Sequence, residues 1–187
     1  TYSTNAAVTL FARWTPATYT ISYDGNGNTA GVATADQTKT HDVDLTLAST
    51  GTLIRVGYSF NGWNTLTNGS GTAYAAGGMY VTNVAATLFA HWTPDTYTVS
   101  YDGNGNTGGT VPTAQIKTHD ADLTLAGDGD LVKLGYTFSG WNTATNGAGT
   151  AYAAGGTYST DADATFYSRW ISTNIVFLPQ TTLFKFK

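Results

Sequence analysis

Cysteine is absent from the chain, which excludes disulfides, thiolate metal sites and a Cys nucleophile. Charge is scarce as well, at 11% of residues. The 8 Lys and Arg residues are scattered singly against 12 Asp and Glu, giving a net charge of −4 and a pI near 5.0. With no basic patch to release phosphate counterions, nucleic acid is a poor match as a partner. No run of about 18 apolar residues occurs, so no membrane span is expected. No signal peptide is visible and the chain opens on Thr1 rather than Met, so it reads as a mature or excised piece of something longer.

What the chain has is apolar and aromatic material and turn formers. Of its 187 residues 41% are hydrophobic and 13% aromatic, enough for a packed core, and Gly, Thr, Asn and Ala fill much of the rest. They are arranged as a repeat. Trp14, Trp92 and Trp170 fall 78 residues apart, as do Trp63 and Trp141. Tyr19–Trp92 aligns with Tyr97–Trp170 without a gap, with about 46 of 74 positions identical. Thr1–Trp14 matches Met79–Trp92. The expected organisation is the closing strand of a preceding repeat over 1–14, whole modules over 19–92 and 97–170, and a divergent tail over 171–187. The joints Thr15–Thr18 and Thr93–Thr96 each carry a proline that stiffens them. Four extended residues reach about 13 Å, less than half of a 78-residue module's diameter of roughly 30 Å, so a semi-rigid arrangement is expected.

Each module reads as strand. Tyr19, Ile21 and Tyr23 alternate with Thr20 and Ser22, Asp44–Ala48 alternates likewise, and Gly57–Trp63 begins in the same way. Ala86–Trp92 is an apolar run of the kind found in a central strand. No capped stretch with a 3.6-residue apolar stripe is present, so at most one short helical turn is expected. The Gly/Asn loop between Trp63 and Tyr74 offers nothing obvious to bury.

The order of Tyr97–Gly105, Leu123–Leu125, Leu134–Thr143, Gly149–Tyr152 and Ala164–Trp170 resembles the Listeria–Bacteroides repeat of the internalin B-repeat type. The resemblance covers both modules and the N-terminal fragment. It implies a mostly β, β-grasp-like fold: tandem mixed-sheet modules of about 78 residues with little or no helix. It also implies secreted or wall-attached bacterial proteins, a setting in which disulfides are commonly absent, and it brings no catalytic residue, metal or cofactor.

Four groups of residues are candidates for chemistry. YDGNGN, at Tyr23–Asn28 and Tyr101–Asn106, begins like a calcium loop, but Thr29 and Ala35 stand where such a loop needs Gly and a bidentate acid. Asp-Gly and Asn-Gly are strong turn signals, so a turn is expected. KTHDVDL (Lys39–Leu45) and KTHDADL (Lys117–Leu123) gather Lys, His and two Asp. Read as extended, they place Asp42 and Asp44 on one face with His41 on the other, awkward for a metal. Solvated strand ends guarding an edge are expected there. A Lys–Asn or Lys–Asp isopeptide crosslink would need Lys39 or Lys117 buried beside its partner, and the sequence leaves that open. Among the aromatics Tyr58, Phe60, Trp63, Tyr136, Phe138 and Trp141, most are needed to hold so small a core. Trp63 and Trp141, one step off the Tyr-x-Phe face, are the candidate ligand-contacting residues unless Gly62 and Gly140 mark bulges. Leu178–Thr182 resembles a sortase anchoring signal without its final Gly, and Ile175–Pro179 resembles the start of a further strand.

No nucleophile elbow is present and no catalytic residue is expected. The sequence points to an extracellular structural repeat, a stalk or spacer of an adhesin-type surface protein. Its alternatives are a glycan or host-receptor binder using exposed Tyr and Trp, and a fibre subunit joined to copies of itself by strand addition.

Overall fold

The computed structural model describes residues 7–173. The chain divides between Thr93 and Pro94 into two compact units. Unit 1 holds β1 (Thr18–Asp24), β2 (Gln37–Thr40), β3 (Leu45–Thr46), β4 (Tyr58–Asn64), β5 (Ala73–Tyr74), β6 (Met79–Tyr80) and β7 (Ala86–Pro94). Unit 2 holds β8 (Thr96–Asp102), β9 (Gln115–Thr118), β10 (Leu123–Thr124), β11 (Tyr136–Asn142), β12 (Ala151–Tyr152), β13 (Thr157–Tyr158) and β14 (Ala164–Ser172). There is no helix among the described residues.

Unit 1 is built on a five-stranded sheet in the order β2-β1-β7-β4-β5, with β3 and β6 paired as a small second sheet. Unit 2 repeats the arrangement with β9-β8-β14-β11-β12 and β10-β13. The apolar run of Ala86–Trp92 does form the central strand. It lies parallel to β1, pairing Ile21 with Ala86 and Asp24 with Phe89. The antiparallel β1–β2 hairpin sets Tyr19 opposite Lys39.

Alternation along β1 and β7 sends Ile21, Tyr23, Leu88, Ala90 and Trp92 inward, where they meet Leu47, Leu53, Trp63 and Tyr80. Val99, Tyr101, Leu125, Leu131, Trp141, Tyr158 and Phe166 fill the second core. These are two closed cores, one per repeat.

Several sequence expectations need correction. Of Asp44–Ala48 only Leu45 and Thr46 form a ladder, because their partner β6 is two residues long. Residues 7–17 carry no strand although 7–14 copy 85–92. In β7 that sequence is hydrogen-bonded between β1 and β4, and no equivalent neighbours flank 7–14 among the described residues. At the other end, β14 runs past Trp170: Ile171 pairs with Thr137 and Ser172 with Tyr136. The anchoring-like Leu178–Thr182 and the strand expected at Ile175–Pro179 lie outside the described residues.

Candidate functional site

The two indoles proposed as ligand contacts are core residues. Trp63 is 1% exposed and Trp141 0%. The cause is a bulge: β11 shifts register against β14 between Phe138 and Trp141, which rotates Trp141 onto the same side as Phe138. Gly140 takes φ 104° at that point and Gly62 takes φ 106° in unit 1. Trp63 then packs against Tyr23 and Phe60, with ring centroids at 4.6 and 5.1 Å. Its Nε1 donates to Ala48 O at 2.9 Å, and Trp141 Nε1 donates to Ala126 O at 2.9 Å. With each ring buried and its single donor satisfied, neither is presented to a ligand.

The YDGNGN segments are turns whose polar groups are taken by the backbone. Asp24 Oδ1 accepts from Asn26 N at 2.7 Å, and Asn26 holds φ 45°. Asn26 Nδ2 donates to Thr67 O and Ala90 O, and Asn28 Nδ2 to Ala30 O and Gly31 O. Asn104 repeats the pattern through Thr145 O and Ser168 O. The residues that spacing offers to a cation therefore serve as braces between the turn, a distant loop and the central strand.

The KTHD segments differ most from the sequence reading. The strand ends at Thr40, and Asp42 (φ 56°) and Asp120 (φ 57°) sit in tight turns, so no extended face is shared with Asp44 or Asp122. The lysines are not solvated: Lys39 is 0% exposed and Lys117 1%. Each points inward from the hairpin and finds its partner in the loop before the central strand. Lys39 Nζ donates to Thr40 O at 2.8 Å and to Asn83 Oδ1 at 2.9 Å. Asn83 Oδ1 also accepts from Asp42 N at 3.0 Å, and Asn83 Nδ2 donates to Asp42 Oδ1 at 2.7 Å. In unit 2, Lys117 Nζ donates to Thr118 O at 2.8 Å and lies 2.5 Å from Asp161 Oδ1. Asp161 Oδ2 lies 2.9 Å from His119 Nδ1. The hydrogen bond from Lys117 holds the Asp161 carboxyl below the ordinary carboxylate range, and burial pushes the neighbouring Tyr158 phenol up.

Ligand atoms of His119, Asp120 and Asp161 fall within 4.8 Å of one another, a grouping hidden in the local motif because Asp161 comes from another loop. Lys117 already occupies Asp161 Oδ1, and unit 1 has Asn83 in place of Asp161. The feature common to both units is thus the buried lysine facing a side-chain carbonyl or carboxyl.

Among the described residues no helix is long and apolar enough to cross a membrane, which says nothing of a β-barrel. A family model described as the Listeria-Bacteroides repeat domain matches residues 19–91 and again 97–169. It describes a repeat domain, not an enzyme family. Two proteins of Evansella cellulosilytica are similar, one named as a Gly-rich membrane protein and one as a membrane protein, both names provisional. Each is 31% identical, over 81% and 88% of this chain. The chain spans only 18% and 24% of their lengths.

Proposed function

The chain belongs to the Listeria-Bacteroides repeat family, and from that membership we propose that it is a structural spacer of a bacterial surface protein, extracellular in location. The observation that carries this reading is the parallel pairing of β1 with β7, and of β8 with β14. A pull on the two ends of a unit enters at the start of β1 and leaves at the end of β7. Adjacent parallel strands loaded from opposite ends are sheared, so their ladder bonds share the force instead of opening one after another. The inward-facing rings agree with this, since they leave no aromatic platform at Trp63 or Trp141 for a saccharide. The membrane-protein names of the relatives fit a wall-facing or membrane-attached parent, and the small share of each that the chain spans fits a part whose neighbours supply recognition.

The test is to display a known binding domain on a cell surface through zero, one or two copies of this chain. Capture of a recessed receptor should rise with copy number, while the chain displayed alone captures nothing. Adhesion by the chain alone would favour the glycan- or receptor-binding alternative.

A second reading, assembly by strand addition, is favoured by one observation. Leu10 and Trp14 are 83% and 89% exposed, although their counterparts in β7, Leu88 and Trp92, lie in the core. A sheet lacking its central strand, in the same polypeptide or in another copy, would accept them. Electron microscopy of the purified chain should then show end-to-end rods, whose length collapses on Leu10→Asp with Trp14→Asp. Particles of one short length in both proteins would remove this reading.

A further inference from the structure

We propose that each unit closes an intramolecular isopeptide bond, Lys39 to Asn83 in unit 1 and Lys117 to Asp161 in unit 2. The inference does not depend on the spacer reading. It rests on geometry that occurs twice. Both lysines are fully buried, both direct Nζ to Oδ1 of the facing residue, and both partners lie 44 residues downstream in the same loop. In each unit the other atom on Cγ, the one that must leave, has its own polar neighbour. Asn83 Nδ2 is 2.7 Å from Asp42 Oδ1, and Asp161 Oδ2 is 2.9 Å from His119 Nδ1. Burial holds each lysine amine in place against its partner, and the fixed approach of two groups replaces a bimolecular encounter.

The chemistry balances without an oxidant or cofactor. In unit 1 the Lys39 amine, as free base, attacks Asn83 Cγ. The Nζ–Cγ bond forms, Cγ–Nδ2 breaks, and one proton passes from Nζ to Nδ2, with Asp42 as the adjacent relay. Ammonia leaves. In unit 2 the Lys117 ammonium and the Asp161 carboxylate condense: Nζ–Cγ forms, Cγ–Oδ2 breaks, and two protons pass from Nζ to Oδ2 beside His119. Water leaves. In both cases Oδ1, already hydrogen-bonded to Nζ, remains as the carbonyl of the new amide. The N-terminal copy of the repeat has Asn5 at the same position, outside the described residues.

Intact-mass spectrometry of the full 187-residue chain, unfolded in denaturant, reads the result directly. The expected mass is that of the sequence less one ammonia and one water, with proteolytic fragments joined at Lys39–Asn83 and Lys117–Asp161. K39A should restore the ammonia alone and D161A the water alone. N83D, which keeps the shape of the site, should end at the same mass as the unaltered chain, because both routes give the same amide. A mass equal to the sequence, with N83D and the unaltered chain differing, would overturn the proposal, and a deficit in one unit only would overturn it for the other. An ammonia deficit that survives K39A would trace to succinimide at an Asn-Gly pair such as Asn26–Gly27, and would overturn it for unit 1.

Discussion

Gly62 and Gly140 decide which way the neighbouring indole points. A Cβ at either would fall 2.4 Å from a backbone oxygen, Tyr74 O or Tyr152 O, and the φ there is one an L-residue rarely adopts. Gly62→Ala or Gly140→Ala should each cost roughly 2–4 kcal/mol, from strain plus displacement of the strand edge. Urea unfolding followed by tryptophan fluorescence measures this, and an unchanged midpoint would contradict the bulge. Trp63→Ala should cost about 3–5 kcal/mol as a large cavity opens. One residue works against its surroundings: the Ser168 hydroxyl is fully buried with no hydrogen-bond partner among the described residues, where unit 1 has Ala90. Ser168→Ala should therefore raise stability by about 1 kcal/mol in the same assay, through relief of an unmet donor.

At the scale of elements, loops are held by side chains as much as by ladders. Asn64 is 1% exposed at the end of β4. It donates through Nδ2 to Gly69 O and Gly71 O, and accepts on Oδ1 from Leu66 N and Gly71 N. Asn142 repeats this in unit 2. Asn64→Ala leaves those backbone groups unmatched and should cost about 2–3 kcal/mol. Hydrogen exchange should then quicken over residues 65–72, and unaltered protection there would contradict the role. The Gly/Asn loop after Trp63 offers the sequence reader nothing to bury because its organiser is the polar residue that ends the strand. The longer strands were legible, since period-two alternation over Tyr19–Tyr23 and the apolar run Ala86–Trp92 follow directly from a half-buried and a central position. The two-residue strands were not, because a ladder that short has no periodicity of its own. The surroundings of Lys39 were hidden for a different reason: its partner lies 44 residues away, and a lysine beside His and Asp looks locally like a solvated one.

For the whole molecule, the spacer proposal implies a division of labour under load. In each unit the paired parallel strands that such a spacer would load, β1 with β7 and β8 with β14, lie outside the loop that the Lys–Asn or Lys–Asp contact closes. On that proposal shear strength would come from the parallel ladder, and the proposed crosslink would limit how far the chain can run out once the ladder fails. Forty-four locked residues per unit correspond to roughly 150 Å of chain withheld from extension. Single-molecule pulling on the full chain from its two ends tests the central claim, that each repeat is an independent sheet loaded in shear. Two separate high-force unfolding events are expected, one per repeat, each shortened by the locked segment. A gradual low-force opening, or one event in which both repeats unravel together, would contradict the account. Two high-force events of full length would leave the shear claim standing and reject the crosslink alone.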